Sequence, residues 1–262
     1  MASYEKDEAI CLRVIDFSET SQVVTLLGRQ TGVMALLAKG SRKMAKGGTF
    51  SFGSPIDQLA RGEMVFIPPR GAAELSTLTA WNLLNHQSAL RKSLPAYYAG
   101  QILCEIIMAL LSPHEPHTAL YDELAAGVAA MGTAETKRLF LSMAKAILIS
   151  TGYQPHLENC LVCKTPVRSG ISAQFCPRSG GACCSGCPGQ SKTLRVDGGV
   201  LLALARLPQP SVLLNATPSK PADAAALRVA AAVLVAAIQA AAERPLKTRW
   251  AVDALFGKSE AT

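Results

Sequence analysis

The chain contains no GxxxxGK[ST] loop, no GxGxxG after a strand and no HExxH helix. It therefore lacks the usual residues for nucleotide hydrolysis, dinucleotide chemistry and zincin proteolysis. Histidine is scarce: His86, His114, His117 and His156 are the four present, and none belongs to a recognisable nucleophile constellation. Scattered carboxylates such as Glu105, Asp122 and Glu123 read as helix-surface groups or caps. These absences argue against an enzyme. Also missing is the run of about 18 to 20 uninterrupted apolar residues that a membrane-spanning helix needs. The nearest stretch, residues 229–242, is alanine-rich, contains Gln239 and is flanked by Arg228 and Glu243, so it reads as a packed helix with no membrane role. Met1–Glu8 is charged and short of apolar residues, unlike a secretory leader, so the expected compartment is the cytoplasm and disulfides are not expected.

What the chain does have is enough apolar material for real cores: 262 residues, 49% of them hydrophobic, room for about two domains. A formal charge of +7 draws the protein toward polyanions. Arg29, Lys39, Arg42, Lys43 and Lys46 fall within a stretch that carries no acidic side chain, so a local basic patch is expected there.

Two CxxC pairs, Cys160/Cys163 in "CLVC" and Cys184/Cys187 in "CSGC", flank a segment rich in turn formers. Zinc prefers four soft or borderline ligands in a tetrahedron, and each CxxC turn brings two thiolates to one side of the ion. A cage closed by four protein ligands leaves no position for water or substrate, so one structural zinc ion is expected. Cys176 and Cys183 also lie in this module, and Cys183 directly precedes Cys184; the repeated CxxC step favours Cys184. Cys11 and Cys104 sit in apolar stretches and read as buried small hydrophobes.

From Ala9 to about Ala80, short apolar runs separated by Gly, Pro, Ser and Asp read as five strands of a small barrel. Five-stranded barrels of the OB type suit oligonucleotides. Residues 39–53 read as a basic loop in which Phe50 and Phe52 either stack on bases or plug the barrel end. After Trp81 the pattern turns helical, with helices expected from "NLLNHQSALRKS" onward, over 95–111, 117–131 and 133–151, and "SPHEPH" (112–117) as a breaker. Beyond the cysteine module, "GGVLLALARL" reads as a short helix, "PQPSVLLNATPSKP" as a loop, 222–244 as a long helix and "PLKTRWAVDALFG" as one more. The expected fold is thus α+β: an OB-type barrel over 1–81, a helical bundle over 82–156 and 191–262, and a zinc-ribbon-like module inserted at 157–190.

The order of these parts resembles the RecO family of bacterial recombination mediators, and the likeness covers nearly the whole chain. Three stretches carry it. Residues 12–43 look like the family's opening strands ending in an AKG-x-R sequence, residues 96–124 look like its first bundle helices, and "TGYQPHLENCLVC…FCPRSGGACCSGC" looks like its GY-x-P lead into the metal module. The family spacing of Gly-Gly, two residues, then CxxC falls on Gly180 to Cys187; it implies Cys184 and Cys187 as ligands, with Cys183 and Cys176 outside the set. The resemblance further implies a non-enzymatic DNA repair and recombination mediator that binds single- and double-stranded DNA. Such a protein anneals strands coated by single-strand-binding protein and helps RecR load RecA in the nucleoid. Backbone contact to DNA would fall on Lys39 and Arg42, supported by Lys43 and Lys46. The acidic, phenylalanine-ending tail of single-strand-binding protein would meet Lys137 and Arg138, beside Leu139 and Phe140. A different class also fits the residues, a zinc-ribbon transcription or translation factor working on RNA or a protein partner.

Overall fold

A computed structural model describes residues 4–43, 52, 56–69, 71, 75–132, 135–187, 193–215 and 223–257. The chain forms two compact units, one of residues 1–92 and 111–129, the other of residues 93–110 and 130–262.

The first unit is a closed barrel of five strands: β1 (Glu5–Asp16), β2 (Gln22–Gly28), β3 (Gly32–Ala38), β4 (Arg61–Ile67) and β5 (Ser76–Asn85). Their order around the barrel is β1-β2-β3-β5-β4, the β3–β5 pair being parallel and the rest antiparallel. This is the expected OB-type barrel. Period-two alternation explains it: Val24 and Leu26 of β2, and Met64 and Phe66 of β4, point inward while Thr25, Glu63 and Val65 lie on the other face. Trp81 of β5 fills the same core. Phe52 is buried there too, which fits plugging of the barrel; Phe50 lies outside the described residues.

One expectation for this unit needs correction. "NLLN" does not begin a helix: β5 continues to Asn85, pairing Asn82 with Glu63 and Leu83 with Gly62, and only a single turn, α1 (Ser88–Arg91), follows. Ladder hydrogen bonding outweighs the helical tendency of the two leucines. Residues 111–129 cluster with the barrel. Their attachment is a backbone one. The His114 amide donates to the Val33 carbonyl at 3.0 Å, Val33 bridges Pro113, and the Glu115 backbone lies so close to Gly32 that a Cβ there has no room. The helix that follows, α3 (Thr118–Ala130), sends Tyr121 to Glu8 at 3.0 Å and Asp122 to Arg29.

The second unit is built from α2 (Leu94–Leu110), α4 (Thr136–Ser150), α5 (Gly198–Ala205), α6 (Pro210–Asn215), α7 (Ala224–Ala241) and α8 (Arg249–Phe256). The loop expected over "PQPSVLLN" contains α6, whose Leu213 is buried. Helix α7 has a mean hydropathy of 1.9 over eighteen residues, enough by length and composition to cross a membrane. Here it is packed by α4, α5 and α8 and buries Val233, Leu234, Val235 and Ile238. Lys145 of α4 donates to the carbonyls of Ala205 and Leu207 and so caps the C-terminus of α5, where the helix dipole favours a cation. A three-stranded sheet of β6 (Ser172–Cys176), β7 (Gly181–Cys184) and β8 (Leu194–Asp197), in the order β7-β6-β8, carries the cysteine module.

A four-thiol centre and a basic barrel edge

The sequence between Asn159 and Thr165 folds into a tight knuckle. The Cys160 amide donates to the Thr165 carbonyl at 2.9 Å and the Lys164 amide returns to the Cys160 carbonyl at 3.0 Å. The knuckle is tied to β7 by Leu161 donating to Ala182 and Ala182 donating to His156, both at 2.8 Å. Gly181 permits this approach, because a Cβ there would lie 2.8 Å from the His156 carbonyl oxygen. β7 then delivers Cys184, and a turn closed by the Cys187 amide on the Cys184 carbonyl delivers Cys187.

The result is that the Sγ atoms of Cys160, Cys163, Cys184 and Cys187 all lie within 4.8 Å of one another, with Cys163 and Cys184 3.6 Å apart. Thiolates around a tetrahedral zinc at about 2.3 Å are about 3.8 Å apart, so this donor set fits one such ion and is able to hold a metal. The environment is graded to suit. Burial pushes the Cys160 thiol up, but the backbone amides of Cys184, Cys163 and Val162 outweigh it and bring the thiol down to about 6. Thr165 draws Cys163 down. Cys187, donating toward Cys184 and Cys163, is pushed up to about 12 by those two contacts. Cys176 and Cys183 form a separate contact at 3.3 Å; burial, then Cys176, pushes Cys183 up to about 12. Cys11 and Cys104 are buried, as expected of small hydrophobes.

The basic patch is less compact than the sequence suggests. Arg29 follows β2 and Lys39 follows β3, at opposite ends of a seven-residue strand about 20 Å long. Arg29 is held bidentately by Asp122 at 2.8 and 2.9 Å, which raises the guanidinium's affinity for its proton still further and draws the Asp122 carboxyl down. The patch thus shrinks to the other end of the hairpin. There Gly40 donates to Ser21 Oγ, the Ser41 hydroxyl to Gln22 Oε1 and the Arg42 amide to the Thr20 carbonyl, fixing the turn against the β1–β2 loop. Lys39, Arg42 and Lys43 are exposed on it, and Arg42 pairs with Asp16 at 2.9 Å. Lys46 lies outside the described residues.

In the helical unit, Lys137 Nζ sits 5.8 Å over the Phe256 ring and Arg138 pairs with Glu135 at 3.0 Å. Their expected apolar neighbours are not on offer as surface. Leu139 and Phe140 are fully buried, Phe140 against Phe256, because helical period turns these residues into the core. The sequence reading also underrated Glu105. It is buried on α2 and accepts from the backbone amides of Lys247 and Thr248 at 2.8 Å, from the Thr248 hydroxyl at 2.7 Å and from Arg244 at 3.4 Å. Burial alone would push this carboxyl up, but the donors outweigh it and hold it below its ordinary range. A lone acid amid "ILCEIIMAL" was the available signal, since a buried charge demands partners.

An OB-type barrel joined in sequence to a helical unit that carries a four-thiol cluster able to hold a metal defines a two-part α+β protein. Residues 1–87 match the family model described as Recombination protein O N terminal, and residues 91–249 match Recombination protein O C terminal. The chain belongs to the recombination protein O family. It is 31% identical over 248 residues to the DNA repair protein RecO of Anaeromyxobacter dehalogenans (strain 2CP-C), covering 93% of this chain and 94% of that protein. It is 32% identical over 202 residues to the DNA repair protein RecO of Rhodopirellula baltica, covering 76% and 73%. With the Moorella thermoacetica DNA repair protein RecO the identity is 29% over 182 residues, 70% and 66% of the two chains.

Proposed function

We propose that, within the DNA repair role its family carries, this chain is a recombination mediator that binds single- and double-stranded DNA and anneals complementary strands without chemistry of its own. The observation that carries the reading is the pinned cationic turn at residues 39–43 on the edge of an OB-type barrel. Annealing requires phosphate repulsion to be shielded, and exposed cations on a rigid edge do this by displacing counterions. Lys39, Arg42 and Lys43 are the proposed backbone contacts, with Lys46 extending them. Cys160, Cys163, Cys184 and Cys187 are proposed to hold one zinc ion, which serves the fold of the module and leaves no open position for catalysis. RecR, and through it RecA, are the proposed partners in strand loading. The acidic tail of single-strand-binding protein is proposed to meet Lys137 and Arg138, its apolar end finding a surface other than Leu139 and Phe140. The proposed setting is the cytoplasm, on the nucleoid. Titration of labelled single- and double-stranded oligonucleotides tests the reading: both should bind, with an affinity that falls steeply as salt rises, and salt-independent or absent binding would contradict it.

A further inference from the structure

Two tryptophans differ sharply in surroundings: Trp81 is 2% exposed inside the barrel, whereas Trp250, at the start of α8, is 57% exposed. Trp250 is not loose. Tyr98 of α2 and Trp250 form a T-shaped pair with ring centres 5.3 Å apart, and Tyr97 follows at 6.4 Å from Tyr98, giving a chain of three rings whose end members, Trp250 and Tyr97, are exposed. The turn leading into α8 is clamped on the buried Glu105 carboxylate by the amides of Lys247 and Thr248 and by the Thr248 hydroxyl. That turn, "RPLKTRW", carries Arg244, Lys247 and Arg249 and no acid. Arg249 reaches Asp253 at 3.6 Å, and Arg244 reaches Glu105 at 3.4 Å. Lys247 is exposed.

We infer that the Tyr97–Tyr98–Trp250 ring chain with the cations of residues 244–249 is a stacking platform for the bases of single-stranded nucleic acid, a second binding site in the helical unit. A rigid, exposed aromatic face beside phosphate-seeking cations is the arrangement that binds single strands without regard to sequence, since every base has a π-face. The cationic turn favours a polyanion over a neutral peptide. The inference rests on the reading of this chain as a DNA-binding protein, and extends it from the barrel to a surface that nothing in the barrel supplies.

Tryptophan emission of the whole 262-residue chain provides the test, with a dT oligonucleotide as probe and anisotropy of the labelled oligonucleotide as an independent measure of binding. The wild type should show quenching on binding, and Trp250→Phe, which leaves Trp81 alone, should bind with no quenching. Trp250→Ala should weaken binding by roughly 5- to 100-fold, the loss expected for one stacked base. Lys247→Ala/Arg249→Ala should lower the salt slope by about 1.4. If Trp250→Ala fails to fold, the comparison of wild type with Trp250→Phe still decides. Binding without any emission change, or equal quenching in wild type and Trp250→Phe, overturns the site while leaving the barrel reading intact. So does quenching by an acidic peptide with none by the oligonucleotide, which marks a protein-docking surface instead. No DNA binding by the wild type overturns both readings.

Discussion

Asp16 offers a sharp handle on the proposed DNA edge, because it sits 2.9 Å from Arg42 with both side chains about half exposed. In a phosphate complex this carboxylate does two unfavourable things: it competes for the guanidinium, and it repels the backbone. The pair itself is worth little, about 0.2–1 kcal/mol at an exposed site. Repulsion of one phosphate about 6 Å away in water-like surroundings adds about 0.7 kcal/mol. Asp16→Asn should therefore tighten DNA binding, by about 5-fold to 20-fold at low salt, and the gain should shrink as the Debye length falls toward about 8 Å at physiological ionic strength. The fold should survive, since neither Asp16 nor Arg42 contributes to the barrel core. In the same titrations Lys39→Ala/Arg42→Ala/Lys43→Ala should lower the single-strand salt slope by about 2, from three phosphates at about 0.7 each. Arg42→Ala alone should lose more than its share, because it leaves Asp16 uncompensated. Unchanged affinity for Asp16→Asn together with an unchanged slope for the triple variant would mean that DNA does not run along this edge.

Further outcomes follow from the helical unit. Glu105→Ala strands two backbone amides and a hydroxyl and should cost about 2 kcal/mol in urea unfolding. Because the Glu105 carboxyl is depressed in the fold, its contribution is present above the ordinary carboxylate range and is lost as pH falls through the native value; Glu105→Gln should flatten that acid limb, and an unaltered pH profile would refute the clamp. One equivalent of zinc should copurify with the chain, be lost in Cys160→Ser, Cys163→Ser, Cys184→Ser and Cys187→Ser, and be kept in Cys176→Ser and Cys183→Ser; retention in any of the first four breaks the proposed ligand set. Zinc affinity should fall as pH drops, because each ligand thiol must release its proton to bind, and a pH-independent affinity would contradict thiolate ligation. Lys137→Ala/Arg138→Ala should weaken binding of an acidic tail peptide several-fold, and equal binding would remove these cations from that role.

The barrel was readable because its strands alternate locally, as in Val24-Thr25-Leu26 and Met64-Val65-Phe66, and because turn formers separate them. The thiol cluster was readable because CxxC spacing encodes a local knuckle that needs no knowledge of the rest of the chain. What escaped depended on partners distant in sequence. β5 runs on through "NLLN" because β4 offers a ladder, and "SVLLN" forms α6, facts no local pattern records. The extended strand β3 separates Arg29, in the turn before it, from Lys39, just after it. Leu139 and Phe140 were legible as apolar, yet their burial depends on α8, which follows more than a hundred residues later.

The most direct test of the central claim is annealing of complementary strands, each coated with single-strand-binding protein, in the absence of ATP. The wild-type chain should accelerate annealing well above the spontaneous rate, and Lys39→Ala/Arg42→Ala/Lys43→Ala should lose most of that acceleration while keeping its zinc and its fold. Full annealing by the triple variant, or none by the wild type, would contradict the assignment of this work to the barrel edge.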